Sequence, residues 1–369
     1  MDMNRRQIDY EEAIGAFFPG REVINIIPYG NGHINDTFKL EIRQETGGGG
    51  SCFILQRINT GVFKNPAGII ANHLKLQKEF SAGSEDIVVP ALLPGRNGEY
   101  LFTDQQGGAW RVMDFIPGTH SIELVEEQWQ ARQAGNAFGW FAGQCSQLDP
   151  TEFEEAIPDF HRLSFRLRQL REAVENDHAR RLEQVREVVD FFLQRAGSLG
   201  RIEELTNSGE IPLRVVHNDT KINNLLFRER KAVAVIDLDT VGPGSLFYDY
   251  GDAIRTGANA VMEDEPDHRK SSLVPWAFEA YTRAYLAQIG SAATPREREF
   301  FHLAPVLMTY IMGIRFLADY LNGDVYYKTA YADHNLVRAR VQLAFIESLE
   351  SRASWMQDII TDSLNHFIL

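Results

Sequence analysis

The chain has 369 residues, 44% of them hydrophobic and 24% charged, and a formal net charge of −14. That length allows about two domains with a sizeable core, the composition is that of an ordinary globular protein, and the acidic balance argues against a nucleic-acid partner. Cys52 and Cys145 have no metal-type spacing, which fits a reducing compartment or little use of disulfides. Polar residues Met1 to Gln7 precede no apolar signal core, and no apolar stretch reads as long enough to span a bilayer. The expectation is a soluble cytoplasmic protein with no membrane partner.

In chain order, Asp9 to Phe18 reads as a short amphipathic helix stopped by Pro19-Gly20. Glu22 to Tyr29 reads as a strand, and Phe38 to Ile42 as the strand that returns from Gly30-Asn31-Gly32-His33-Ile34-Asn35-Asp36-Thr37. A strand, a glycine-containing turn and a returning strand make a flap whose backbone N–H groups can approach phosphate. Gly30 and Gly32 permit the close approach, and Asn35 and Thr37 can add side-chain donors; taken alone, an ordinary Gly-rich hairpin has the same pattern. Four consecutive glycines within Glu45 to Ser51 mark a hairpin tip, and Cys52 to Arg57 is the next strand. Pro66 to Phe80 has a partial apolar stripe at helical spacing, from Ile69, Ile70, Leu74 and Leu76. Ile87 to Leu93, Glu99 to Thr103 and Ala109 to Phe115 read as strands, the last broken by Ile116-Pro117-Gly118. Helical patterning then takes over, with Trp129 to Ser146 as one helix, Asp159 as a cap for a helix near Leu163, and one or two more helices over Leu167 to Leu199.

The segment that organises the chain follows. An apolar run, Leu213 to Val216, delivers His217-Asn218-Asp219; Asn224 comes five residues after Asp219; a second run, Ala232 to Ile236, ends in Asp237. The spacing reads as a β-hairpin-like unit carrying three polar side chains to one place. Phosphoryl transfer needs such a set: one carboxylate to take the proton of the attacking hydroxyl, and an amide oxygen with a second carboxylate to hold Mg²⁺ on nucleotide phosphates. Asp and Asn also serve local turns, but two such elements, each closing a β-type run, favour the catalytic reading. The protein-kinase pattern is His-Arg-Asp followed by Asp-Phe-Gly, whereas here the sequence has Asn218 and Ile236-Asp237-Leu238-Asp239. The arrangement resembles the aminoglycoside phosphotransferase and choline kinase superfamily of small-molecule kinases. Beyond it, Ser271 to Gly290, Arg296 to Leu321 and Ala332 to Ile360 read as helices.

That resemblance implies an α+β, two-lobed, protein-kinase-like fold: an N-lobe, 1–116, of antiparallel sheet with a helix, and a larger, mainly helical C-lobe, 117–369, with ATP in the cleft. In such kinases the strand at Cys52 to Arg57 carries a lysine for the phosphates; here only Gln56 or Arg57 can take that place. Successive strand residues face opposite ways; charge argues for Arg57, and the two apolar residues before it for Gln56. Glu79 is the only acid in the helix where kinases keep the glutamate that pairs with the lysine. Asp114 and Ile116 match the main-chain hinge that meets adenine, and Asp249, with His217, matches the support of the catalytic turn. Asp252 either faces the substrate or begins a helix.

Four blocks, Gly30 to Thr37, His217 to Asn224, Ile236 to Val241 and Gly313 to Tyr326, look like those of the N-acetylhexosamine 1-kinases. This implies Asp219 as base, Asn224 and Asp237 as Mg²⁺ ligands, ATP as co-substrate, and Arg315, Tyr326 and His33 reaching a sugar whose anomeric hydroxyl is phosphorylated. Two alternatives remain open at this stage: another hydroxyl acceptor, such as an aminoglycoside or amino alcohol, and a non-catalytic sensor on the same scaffold.

Overall fold

The computed structural model describes residues 9–30, 34–44, 49–80 and 87–365. Gly32, His33 and the glycine-rich tip at 45–48 lie outside the described residues. The chain divides into two compact units: Met1–Thr119 with Phe153–Ile157 and Leu238–Val241, and His120–Glu152 with Pro158–Asp237 and Gly242–Leu369.

The first unit contains strands β1 (Val23–Pro28), β2 (Asp36–Arg43), β3 (Gly50–Ile58), β4 (Leu92–Leu93), β5 (Phe102–Thr103) and β6 (Ala109–Asp114), with helices α1 (Glu11–Phe17) and α2 (Pro66–Phe80). The sheet is antiparallel throughout, in the order β1-β2-β3-β6-β4, and β5 also pairs with β6. Strand alternation puts Phe38, Leu40 and Ile42 on one face, where they pack with Leu55, Trp110 and Val112 against Ala13, Ile14 and Phe17 of α1. A second cluster joins Ile69 and Ile70 of α2 to Ile58, Phe63, Leu92 and Ala109. The strands expected over 87–93 and 99–103 shrink to β4 and β5. Pro90 and Pro94 bracket β4, and proline has no N–H to donate to a ladder.

The second unit contains α3 (Gln128–Cys145), α4 (Leu163–Asn176), α5 (Leu182–Asn207), β7 (Arg214–Val216), β8 (Leu225–Arg228), β9 (Lys231–Val235), β10 (Gly242–Gly244), α6 (Leu246–Gly257), α7 (Pro275–Ile289), α8 (Pro295–Phe300), α9 (Ala304–Leu321), α10 (His334–Ser351) and α11 (Ala353–Asn365). The expected order, a sheet-containing part and then a larger helical part, holds.

Several boundaries differ from expectation. Asp159 does not cap α4: it sits at φ +55°, binds Arg162 at 2.7 Å, and leaves Arg162 as the N-cap with no side-chain cap. α4 and α5 are separate because Asp177 turns into the left-handed region, and its Oδ1 accepts the N–H groups of Arg181 (2.8 Å) and Leu182 (3.1 Å). The helix expected over Arg296 to Leu321 is divided by a 3₁₀ turn at Phe301–Leu303, just before Pro305 at the start of α9. The helix expected over Ala332 to Ile360 is likewise two, α10 and α11, parted at Arg352.

The apolar-length expectation is also corrected. An 18-residue window within Pro295–Leu321 is long and apolar enough to cross a membrane, yet 78% of it is buried inside the protein. Every residue of α9 is buried, and α4, α6 and α10 pack on it. Burial of each large aliphatic side chain there contributes about 1.5–3 kcal/mol. Elsewhere in this unit, Gly135 and Gly139 let α3 press onto α7: an added Cβ would meet Tyr281 O at 2.4 Å and Tyr285 O at 2.8 Å.

Candidate active site

Asp219 follows β7, but β7 does not pair with β9 as the hairpin expectation supposed. β7 pairs with β10, and β9 pairs with β8. Asp219 and Asn224 are instead joined by side-chain contacts, and the main chain just before Asp237 is tied to both ends of their segment. The β8–β9 hairpin sets Leu225 opposite Val235, and Ile236 N–H donates to Asn224 O at 2.9 Å, so Asn224 lies beside the residue that precedes Asp237. The Asn224 side-chain amide donates to Asp219 O (2.8 Å) and Asp219 Oδ2 (3.1 Å). His217 Nε2 donates to Ile236 O at 3.0 Å, closing the loop from the other side; a carbonyl only accepts, so this nitrogen carries the proton.

The turn itself is bent against its preference. Asn218 and Asp237 take φ of +64° and +61°, a region that Asn and Asp tolerate better than other side chains. Asp249, in the first turn of α6, holds the bend: its two oxygens accept His217 N–H (2.8 Å) and Asn218 N–H (2.7 Å). The Thr220 hydroxyl donates to Asp249 O at 2.6 Å. Burial pushes the Asp249 carboxyl up to about 7, against the pull of the two backbone donors. His161 adds a third support, its Nε2 donating to Asn218 O at 2.9 Å. Burial, then the Arg315 and Arg166 charges, hold His161 down at about 3, so it is neutral.

Burial also pushes the Asp219 carboxyl up, but Lys221, 3.1 Å from Asp219 Oδ1, and the Asn224 amide outweigh it and hold it below its usual range. Asp219 is therefore an anion with one donor on each carboxylate oxygen, Lys221 on Oδ1 and Asn224 on Oδ2. Asp252 neither starts α6 nor stands alone: it lies within the helix and pairs with buried Arg255 at 2.8 Å, which also binds Glu263 at 2.9 Å.

Arg315, on α9, is 9% exposed, not a helix-surface cation. Its guanidinium lies 4.8 Å from the Phe160 ring, 5.6 Å from Tyr327 and 6.0 Å from Tyr326. Its Nη1 donates to Met312 Sδ at 3.2 Å. Asp319 shapes the turn carrying Tyr326 by accepting the N–H groups of Val325 (3.0 Å), Tyr326 (2.8 Å) and Tyr327 (3.0 Å). Tyr326 is 57% exposed.

In the first unit, Gly30 sits at φ +76°, with open space where a Cβ would be. Asn35 is a tie: it donates to Asp239 Oδ2 at 2.6 Å and accepts Asn59 N–H at 2.9 Å. Gln56 donates to Thr37 Oγ1 at 2.8 Å. Arg57 faces the other side of β3, pairing with half-exposed Asp36 at 2.8 Å. Asp114 N–H is committed to Ala91 O (2.9 Å), and Ile116 O accepts the Thr119 hydroxyl (2.7 Å).

Residues 25–300 match APH, the phosphotransferase enzyme family. The chain belongs to this family. Solved structures share the fold. A microcompartment-associated aminopropanol kinase superposes with a TM-score of 0.59 at 13% identity, covering 94% of this chain and 97% of that one. An aminoglycoside phosphotransferase from Alicyclobacillus acidocaldarius gives 0.60 at 10% identity, covering 97% and 98%. Spectinomycin phosphotransferase APH(9)-Ia, solved with ADP and spectinomycin, gives 0.54 at 12% identity, covering 95% and 99%. The kinase-like fold expected from the sequence is thus present.

Three further charged groups of this phosphotransferase, Lys221, Arg166 and Arg111, differ in how far the sequence marks them. Lys221 was legible, two residues beyond Asp219 on an extended segment. Arg166 was not. It donates to Phe160 O at 3.0 and 2.8 Å, and burial, then Arg315, bring it down to about 10. Arg111 was not legible either: it pairs with Asp239 at 2.5 Å, both almost fully buried. The buried ion pair of this unit is made by Arg111 and Asp239, not by Glu79.

Proposed function

We propose that this phosphotransferase is an ATP- and Mg²⁺-dependent sugar kinase that converts N-acetylhexosamines, N-acetylglucosamine and N-acetylgalactosamine, to their 1-phosphates. In this reading residues 1–116 serve the nucleotide and residues 117–369 the chemistry and the acceptor. Asp219 accepts a hydrogen bond from the anomeric hydroxyl and takes its proton late, as a loose transition state allows. The hydroxyl oxygen bonds to the γ-phosphorus as the bond to the bridging oxygen breaks, and ADP leaves. Lys221 and Asn224 keep the carboxylate ionised and aimed, while Asp249, His217 and His161 keep its backbone in place. Rate comes from positioning and charge neutralisation, without a covalent intermediate.

The donor set fits Mg²⁺. With its amide nitrogen committed to Asp219, Asn224 has its oxygen left for a cation, and Asp237 supplies a carboxylate. Mg²⁺ takes one or two protein carboxylates and completes its shell with phosphates and water. Bound there, it would neutralise charge on the phosphate oxygens.

The acceptor assignment rests on one observation above others: two guanidiniums, the buried one of Arg315 and the half-buried one of Arg166, stand with Phe160, next to the histidine that holds Asn218. The aligned solved kinases include ones named for amine-bearing acceptors, aminopropanol and aminoglycosides. A cationic acceptor at ~4 Å from one arginine is disfavoured by about 4 kcal/mol near a protein surface. A neutral sugar, bound through hydroxyl and amide groups and stacked on rings, meets no such opposition. ADP release from Mg-ATP with a panel of free sugars, aminoglycosides and amino alcohols tests this. Turnover with N-acetylhexosamines, giving an acid-labile 1-phosphate, is expected. Turnover only with amines would overturn the acceptor, and turnover with nothing would favour a sensor.

A further inference from the structure

The β3–β6 ladder places Gln56 directly opposite Arg111. Arg111 Nε donates to Gln56 Oε1 at 2.9 Å, and Nη2 donates to the same oxygen. Nη2 also pairs with Asp239 Oδ1. Arg111 is 2% exposed and Asp239 1%, so this cation is neutralised and sealed. Arg57 cannot replace it, because it lies on the opposite face with Asp36, 5.9 Å from the Trp110 ring.

An arginine has donors and no acceptor. Beside Arg111, the Gln56 amide must therefore turn its oxygen inward and its nitrogen outward. One N–H of that nitrogen goes to Thr37 Oγ1; the other has no acceptor among the described residues. A phosphate oxygen is an acceptor. We propose that Gln56 is a neutral hydrogen-bond donor to the nucleotide phosphates, in the place where kinases carry a lysine, and that Arg111 is the positioning residue that fixes its amide the right way round. This rests on the nucleotide-binding reading above. A lysine at 56 would place an ammonium against the Arg111 guanidinium, which the neutral amide avoids.

The decisive variant is Gln56→Glu. It is nearly isosteric and keeps two acceptor oxygens for Arg111, but it has no N–H to give. Calorimetry with Mg-ADP and Mg-ATP, without acceptor, is expected to show affinity weakened about tenfold or more, with the melting temperature held and the acceptor KM unchanged. Arg111→Lys keeps donor-only chemistry and is expected to stay within about threefold of wild type. The double variant Arg111→Met/Asp239→Asn keeps the core neutral, lets the amide turn, and is expected to weaken nucleotide by several-fold. Should the glutamate variant misfold, Gln56→Met, apolar and similar in volume, carries the same expectation. Nucleotide affinity within twofold of wild type in a folded Gln56 variant overturns the proposal. A wild-type protein that binds no nucleotide overturns instead the kinase reading on which it rests.

Discussion

The two units hold their polar centres in opposite ways. Around Asp219 the backbone is bent into the left-handed region at Asn218 and Asp237, and side chains from α6 and from the turn before α4, Asp249 and His161, grip main-chain atoms of that bend. Around Gln56 the backbone is a regular antiparallel ladder, and the order resides in side chains: Asp239 to Arg111 to Gln56 to Thr37, with Asn35 as a second tie to Asp239. On the proposed reading, the first arrangement fixes a reacting group by fixing its peptide, and the second fixes a binding group by fixing which end of an amide faces out. The loop needs many weak grips because it stores strain; the strand needs one buried ion pair, whose loss on one side costs about 3–5 kcal/mol.

The largest test of this contrast removes the reacting group without touching its grips. Asp219→Asn keeps the bend, since Asp249 and His161 hold residues 217 and 218, and is expected to lower kcat by about 10²–10⁴-fold. Nucleotide affinity is expected to stay near wild type. Single-turnover kinetics beside calorimetry checks both, and near-normal turnover would refute the base assignment.

The next concerns the grip itself. His161, held at about 3 by burial, titrates in the unfolded chain near ~6.5. Between these values the unfolded state binds more protons, so stability rises with pH across the window and is lost as pH falls through it. Between pH 7 and pH 5 the expected loss is about 2 kcal/mol from this residue. His73, held at about 4 chiefly by burial, adds to the slope from the first unit. Comparing urea unfolding at the two pH values in wild type and His161→Asn isolates the loop's share; equal slopes would show that His161 is not the titrating support.

The smallest effect is expected on the outer face of β3. Arg57→Ala removes a half-exposed pair with Asp36, so stability should change by under about 1 kcal/mol and the KM for ATP not at all. A several-fold rise in that KM would move the phosphate contact from Gln56 to Arg57.

What could be read from the sequence follows from distance along the chain. Asp219 and Asn224 lie within one short segment, so their meeting was legible even though the pairing supposed for it, β7 with β9, does not form. Asp249, close behind, was also within reach. Asp239 meets Arg111 and Asn35 across more than a hundred residues, and no periodicity records such a meeting. The Asp159 cap failed for a related reason: residue type favoured a cap, but its left-handed backbone and its pairing with Arg162 decided otherwise. The divided helices at 301–303 and 352 were lost because apolar spacing runs on through a break that Pro305, or a single non-helical residue, makes in the backbone.

The fully enclosed helix α9 has a consequence for the nascent protein. Its wrapping partners α4 and α6 precede it, but α10 follows it. During synthesis a greasy 18-residue rod therefore leaves the ribosome with one flank bare until residue 351 is out. Chains that stop between α9 and α10 would present that flank to chaperones and proteases, and would be cleared or clump even though every residue proposed for catalysis had already been made.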